Sequence, residues 1–295
     1  MIDIIFVILN YNIITETVNC VKSIINNIDT EKYKIIVVDN GSKEGVLDEI
    51  KQNIQEKGNV EYIQLSDNIG FARGNNKGIE AARKYNPRFV CCINNDTLFI
   101  QNNFYKTLCY EQEKKEADVI GPKVYLQDNS IQSFNKTLCS IKEYEEQLKA
   151  YKQALLETPR NRIKSWLKDN KVMFSFYKKI VNKKEQFKDN EEMEKDERNI
   201  MLHGSCIIFT DKYLRKFEGF DPRTFLYREE ELLYLRIKSA NMTSHYCPSL
   251  YIKHLEDAST QTISKKRSER DKFYYNCQIQ SIEVLINELK QSISE

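Results

Sequence analysis

The sequence predicts an α/β protein, a mostly parallel sheet with helices on both faces, from three observations. Short runs rich in Ile and Val alternate with stretches of helical period. The runs are mostly apolar, as strands buried on both faces are. Each ends in polar turn residues, and the strand–helix–strand repetition suits a parallel sheet.

The strands expected first are Ile4 to Leu9, Lys34 to Val38, Val60 to Leu65 and Phe89 to Ile93. Between the first two, Thr17 to Ile28 places Val18, Val21, Ile24 and Ile28 on one helical face. The turns Asn10-Tyr11-Asn12, Asp39-Asn40-Gly41-Ser42 and Asn94-Asn95-Asp96 close three of these strands. Ligands of open α/β sheets bind at such carboxyl ends. From about residue 130 to 200 the chain is charged, lacks a strand pattern and has almost no glycine, which reads as a helical insertion. Strand signals return at Cys206 to Phe209 and Thr243 to Ile252, with a helix starting near Glu229. The tail from Ser264 reads as helix, with Ile279, Ile282, Val284, Leu285 and Leu289 as its apolar positions. The expected division is one domain over residues 1–260, carrying the insertion, and a helical tail over 261–295.

Bulk properties narrow the function. The 295 residues are 41% hydrophobic and 30% charged, ordinary for a soluble globular protein. A net charge of +2 gives no global case for nucleic-acid binding. Eight cysteines form no C-x-x-C pair and fall mostly among apolar residues, so free thiols in a reducing cytoplasm are expected. The N-terminal MIDIIFVILNYN lacks the basic region and small-residue site of a signal peptide. No run of about 18 apolar residues predicts a transmembrane helix.

Several segments carry chemistry. Asp39, closing a buried strand, can accept hydrogen bonds from a base or ribose, or cap its own turn. The Gly- and Asn-rich run Asp67 to Gly78, ahead of a helical stretch at Ile79–Ala82, would let backbone N–H groups approach a phosphate, with Arg73 supplying charge. Asn94-Asn95-Asp96 suits a hard divalent cation, or helix capping by Asp96. Glu229, Glu230 and Glu231 fall at a helix start, where they favour the dipole or supply a base for an acceptor hydroxyl. His254 follows an apolar strand as a surface residue or a metal ligand.

In this order the segments resemble the family 2 glycosyltransferases, in particular their rhamnosyltransferase-like branch. The resemblance is carried by Asn10-Tyr11-Asn12, Val37 to Ser42, Asn68 to Ile79, Asn94-Asn95-Asp96, Gly204-Ser205, Gly219-Phe220-Asp221, Phe225 to Glu230, Pro248-Ser249-Leu250 and His254. It covers roughly residues 1–125 and 200–260. It implies a GT-A fold, a Rossmann-like nucleotide-binding sheet, and inverting transfer of a hexose or deoxyhexose from a nucleotide-diphosphate sugar in a divalent-metal-dependent reaction. Asp39 would contact base or ribose, and Asn68, Gly70 and Arg73 would lie along the nucleotide. Asn10, Tyr11, Asn76, Asn94 and Asn95 fall in the same motifs and are expected beside the donor. Asp96 matches the family's metal-binding aspartate and His254 its late histidine; Mn²⁺ and Mg²⁺ both stay open. Glu230 stands where the family usually has a catalytic aspartate, with Glu229 as the alternative base.

The departures fall on the acceptor half. Leu232 replaces a second family aspartate, and Gln278-Ile279 replaces an Arg-Asn after the aromatic Phe273-Tyr274-Tyr275. A second reading is therefore a donor-binding subunit that works beside an active partner. A nucleotidyltransferase on a similar sheet would carry a glycine-rich basic loop where this chain has Asn10-Tyr11-Asn12. Between Arg160 and Lys184 lie nine Lys or Arg and one acidic residue, Asp169, with Trp166 on an apolar stripe. Such a segment can rest on an anionic membrane surface or pack against the domain. A lipid-linked saccharide acceptor at the cytoplasmic leaflet, in bacterial cell-surface polysaccharide synthesis, would follow from the first. The tail helix could pair two subunits into a homo-oligomer.

Overall fold

The computed structural model describes residues 2–54, 58–156, 193–255 and 267–294. The basic stretch Arg160–Lys184 lies outside these residues, and with it the expected membrane-facing helix.

The first half is built as the apolar runs require. Strands β1 (Ile4–Asn10), β2 (Tyr33–Asp39), β3 (Val60–Gln64) and β4 (Phe89–Asn94) are parallel and lie in the order β3-β2-β1-β4. Helices α1 (Thr15–Asn27), α2 (Val46–Asn53) and α3 (Phe71–Arg83) connect them. Ile4, Phe6, Ile8, Ile35 and Val37 fill the core on one face, while Ile5, Val7, Ile36 and Val38 fill the other. Both faces exclude water, so neither strand alternates apolar with polar.

The second half extends the same sheet. It adds β5 (Thr97–Leu98), α4 (Phe104–Lys115), β6 (Val119–Tyr125), α5 (Ile141–Leu156), β7 (Glu197–Arg198), β8 (Cys206–Thr210), α6 (Asp211–Lys216), α7 (Glu229–Ser239), β9 (Ser244–His254) and α8 (Arg267–Ser294). Beyond β4 the order is β8-β6-β9-β5, with β7 also on β9. β8 runs antiparallel to β4 and β6, and β6 pairs parallel with β9. The mixed sheet with its parallel majority, accompanied by eight helices among the described residues, is the expected GT-A architecture.

Two expectations need correction, and the tail adds a contact of its own. The run Asp67 to Gly78 is not a loop up to Ile79, because α3 begins at Phe71. Within it Gly74 and Gly78 sit against the sheet: a Cβ at Gly74 would meet Leu9 Cδ1 at 2.5 Å, and one at Gly78 would meet Val7 Cγ1 at 2.3 Å. These glycines let a helix backbone approach β1, a packing role and not a phosphate cradle. The stretch 130–200, expected without strands, contributes β7 and an Ile131 bridge to Tyr125 as well as the helix α5. Finally, the apolar stripe of the tail is covered within the chain. Ile282, Leu285 and Ile286 of α8 bury themselves with Tyr144 of α5 and with Leu232 and Leu235 of α7. Leu232 is thereby a core residue, which accounts for its apolar character. All eight cysteines are free thiols. Among the described residues no helix is long and apolar enough to cross a membrane.

The α3 contact yields a stability test. Alanine gains up to about 1 kcal/mol over glycine in a helix interior, but a methyl at residue 78 must displace stiff Val side chains in a closed core. Overpacking of this kind costs about 1–3 kcal/mol. Gly78→Ala is expected to lower the urea midpoint at unchanged m-value; an unchanged or raised midpoint would show that α3 can lift from β1.

Candidate active site

The carboxyl ends of β1, β2 and β4 converge, and a cleft of about 620 Å³ opens beside them. One wall comes from Tyr11, Asn40, Asn68, Gly70, Asn94 and Asn95, the facing one from His203 to Ser205, Phe225 to Glu231 and the α8 residues Phe273, Tyr274 and Gln278. Tyr151 of α5 completes it.

The donor-side wall rests on a buried network. Asn10 is fully buried; its Nδ2 donates to Asp39 Oδ1 at 3.0 Å, and its Oδ1 accepts from Thr17 Oγ1 at 2.9 Å. The Ser42 hydroxyl donates to the same Asp39 oxygen. Asn95 Nδ2 donates to Thr17 Oγ1 at 3.0 Å, tying the β4 turn into the set. Asn10, expected beside the donor, therefore positions Asp39 and does not line the cleft. Asp39 itself is buried, and its Oδ2 has no hydrogen-bond partner among the described residues. A buried carboxylate oxygen left unpaired costs about 1–3 kcal/mol, so such an atom asks for an explanation.

Asn40 organises the next loop. Its Nδ2 donates to Asn68 Oδ1 at 3.0 Å and to the Gly70 carbonyl at 3.2 Å, and its Oδ1 accepts from the Ile69 N–H at 3.0 Å. Gly70 has φ +92° and lies on Phe225, whose carbonyl a Cβ would meet at 2.4 Å. Only glycine fits there. Asn68 and Gly70 thus reach the cleft. Arg73 and Asn76 do not line it: Arg73 Nε donates to the Pro222 carbonyl at 2.8 Å, and Asn76 exchanges two 2.8 Å bonds with the Phe220 backbone. Their side chains brace the loop after α6, a correction to their expected place along the nucleotide.

Asp96 and His254 meet although 158 residues separate them. The antiparallel pairing of β5 with β9 sets Thr97 opposite His254 and brings His254 Nε2 to 3.1 Å from Asp96 Oδ1. Asp96 is 5% exposed, so this is a sheltered carboxylate with an imidazole beside it. That donor set fits a divalent cation, and Asp96 caps no helix. His203 stands close by, its ring centroid 6.1 Å from that of His254 and its Nδ1 2.8 Å from Ser205 Oγ. Burial, with a smaller contribution from His254, pulls His203 down to about 4, so it is neutral at physiological pH. The sequence reading passed over His203; its position beside Gly204-Ser205 was the available signal.

Opposite lies the start of α7. Tyr227 and Arg228 hold φ values of 75° and 69°, left-handed and uncommon for side chains of this size. Arg228 is anchored to Glu231 at 2.8 Å and to Gln147 at 2.9 Å. Glu229 is buried and accepts from Thr224 Oγ1 at 3.2 Å; burial, then the charge of Glu230, raises it to about 8. Glu230 is half-buried, raised to about 7 by burial and by Glu231, and held back by the Gly204 N–H that donates to it. Gly204 lies so close that an added Cβ would fall 2.3 Å from Glu230 Oε1. Gly204 has no side chain because the carboxylate occupies that space.

That contact predicts a selective defect. Gly204→Ala pushes the Glu230 carboxylate aside, and misplacement of a reacting group by about 1 Å can cost about 100-fold in rate. Turnover is expected to fall on that scale while the melting temperature moves little; full turnover in the variant would show that Glu230 needs no such seat.

Comparison with known proteins adds the family. The family model for glycosyl transferase family 2 matches residues 5–216. Among solved structures, a crystal structure of Staphylococcus aureus TarS 1-349 matches with a TM-score of 0.52 at 11% identity, covering 96% of this chain and 71% of that one. The same TarS fragment in complex with UDP-GlcNAc matches with a TM-score of 0.55 at 13% identity, covering 93% and 64%. At these identities the likeness is one of fold. No curated protein sequence matches the chain. The family match runs over most of the chain and takes in the β1, β2, α3, β4 and Gly204 segments that build the cleft, and the chain belongs to glycosyl transferase family 2.

Proposed function

We propose that this glycosyltransferase moves a hexose or deoxyhexose from a nucleoside-diphosphate sugar onto a hydroxyl of a saccharide or lipid-linked saccharide, inverting the anomeric carbon. The observation that carries the reading is the placement of Glu229 and Glu230 in the same cleft as Asn68, Gly70, Asn94 and Asn95. A family 2 chain needs a donor on one side and a base on the other, and this cleft has both. A similar fold holds UDP-GlcNAc in the TarS complex, which supports a nucleotide sugar as donor.

The donor's base or ribose is assigned to the buried Asp39, whose Oδ2 is free to accept an N–H or O–H. Asn68 and Gly70 follow along the nucleotide, with Tyr11, Asn94 and Asn95 closer to the sheet edge. Asp96 and His254 are the residues that would hold a divalent cation, Mn²⁺ or Mg²⁺. The chemistry a cation would supply there is neutralisation of the charge developing on the leaving diphosphate. The acceptor hydroxyl approaches from the opposite wall, and a carboxylate takes its proton as the bond to the sugar forms. Glu230 suits that task better than Glu229. Its carboxylate sits against the Gly204 backbone, whose N–H favours the ionised form, and its acidity lies nearer neutrality. Attack from the face opposite the leaving group needs no enzyme nucleophile.

The acceptor wall is aromatic. Phe273 stacks edge-on against Phe225 at 5.9 Å, and Tyr274 against Tyr227 at 5.3 Å and Tyr151 at 5.9 Å. Such surfaces offer apolar faces with polar tips, suited to the C–H faces and hydroxyls of a pyranose. Gln278, in place of the family's arginine, is buried there with its Oε1 unpaired among the described residues. It stands ready to accept a hydrogen bond from an acceptor hydroxyl.

Two measurements test the reading. A panel of UDP-, dTDP- and GDP-sugars with Mn²⁺ or EDTA should show metal-dependent release of one nucleoside diphosphate, lost in Asp96→Ala. Metal-dependent binding without release, even with acceptor lipids present, would favour a donor-binding subunit instead. A base works only when ionised, so a group raised to about 7 loses activity as pH falls through that value. The pH profile of kcat/KM should carry an acid limb near pH 7, and Glu230→Gln should lose about 10²–10⁴-fold. A limb unchanged in Glu230→Gln would move the base to Glu229.

A further inference from the structure

At the other end of β9 from His254, three side chains that the cleft does not use come together in the core. Cys247 and His245 lie two residues apart on one face of β9, the face that packs on α4. Glu111 of α4 points at them from the buried side of that helix, in line with Phe104 and Leu108. One donor atom from each of the three lies within 4.8 Å of the other two. Glu111 is 8% exposed, Cys247 1% and His245 0%.

The hydrogen bonding around the cluster is incomplete in one direction only. Glu111 Oε2 and His245 Nδ1 are buried and have no hydrogen-bond partner among the described residues. The far side of the imidazole is fully engaged: His245 Nε2 lies 2.6 Å from Asp196 Oδ1, and Asp196 Oδ2 is paired with Lys115 at 2.7 Å. A carboxylate on Nε2 fixes the tautomer with its proton there, and the Nδ1 lone pair then faces Glu111 and Cys247. Carboxylate–histidine pairs of this kind stand behind metal-bound imidazoles. The backbone N–H groups of Ser249 and Leu250 face the Cys247 sulfur, where the strand bulges between Cys247 and Tyr251.

We propose that Glu111, His245 and Cys247 form a second metal site, remote from the cleft, that takes a Zn²⁺ on three protein ligands. Thiolate, imidazole and carboxylate are the zinc donor set, and the softness of sulfur selects against Mg²⁺ and Ca²⁺. The charges also balance. Binding releases the thiol proton to solvent, and one carboxylate and one thiolate neutralise the divalent ion, so the core holds no net charge. Donor atoms around a tetrahedral zinc lie roughly 3–4 Å apart, so a small contraction of α4 toward β9 closes the site. Bound there, the ion cross-links α4 to β9, the strand whose end carries His254.

The test uses the full chain carrying Asp96→Ala, which removes one of the two residues of the proposed Asp96–His254 cation site. After chelation and dialysis, Zn²⁺ should rebind at one equivalent per chain and raise the melting temperature, because it binds only the folded state. Co²⁺ in its place should give a near-ultraviolet thiolate charge-transfer band, which a site without sulfur cannot produce. Cys247→Ser should abolish that band. Glu111→Gln, of matching size, should keep the fold and weaken Zn²⁺ binding, and Asp196→Asn should weaken it about 10–100-fold. Absence of stoichiometric Zn²⁺ binding, or a thiolate band that survives in Cys247→Ser, would overturn the proposal. Neither result depends on whether the cleft transfers a sugar.

Discussion

The hydrogen bond from the Phe71 N–H to the Phe225 carbonyl, 2.8 Å long, joins the two halves of the cleft. It runs from the first turn of α3, an otherwise unpaired donor at a helix start, to the loop that feeds α7. Around it the same two segments are stitched repeatedly. Asn76 exchanges both amide bonds with Phe220, Arg73 reaches the Pro222 carbonyl, and Gly70 lies flat on Phe225. Asp221 locks the loop from inside, bound by Arg223 and Arg236. Without this seam the glutamates of α7 would have no fixed distance from Asn68 and Gly70. The short motifs that look dispersed in the sequence are therefore two sides of one joint.

A second constraint is the register of β9. The strand pairs parallel with β6, bulges between Cys247 and Tyr251 where the register shifts, and pairs antiparallel with β5 at its end. The slip gives β9 its length, and the β5 pairing places His254 beside Asp96. The same strand starts with Ser244, fully buried, and with His245 and Cys247 facing α4. One strand thus links the sheet core to the Asp96–His254 pair.

The sequence showed most of the parallel half and most of the cleft in outline. Strands β1, β2, β4 and β8 were legible because burial on both faces writes near-continuous apolar runs, while β3 and β9 showed only through shorter apolar stretches. β6 was not, since Gly121 and Pro122 interrupt its apolar residues; Pro is rare inside sheets, and Gly121 is there because Leu202 packs within 3.1 Å of where its Cβ would be. The start of α3 was misplaced because Gly70, Gly74 and Gly78 look alike in sequence and do different work. Gly70 makes a turn, while the other two make a helix–sheet contact. Arg73 and Asn76 had the composition of ligand contacts, yet tertiary neighbours more than a hundred residues away use them up. His203 was marked only by its place beside Gly204-Ser205, and the pair His245 and Cys247 gains its third member, Glu111, only through the packing of α4 on β9.

The junction before α7 shows how the fold aims its carboxylates. Two consecutive left-handed residues, Tyr227 and Arg228, cost of order 1–3 kcal/mol each and persist only where surroundings over-determine them. Here they do. Tyr227 packs on Tyr274, Arg228 spans Glu231 and Gln147 and lies over the Tyr144 ring, and the Leu226 carbonyl accepts from Ser281 at 2.8 Å. Every one of those restraints comes from α5, α8 or α7 itself, helices that pack together beside the sheet. The turn reverses the chain so that α7 begins with Glu229 and Glu230 pointed into the cleft and Leu232 turned into the helical core. Additions to the sheet, far from being appendages, hold the strained turn that presents the acidic wall.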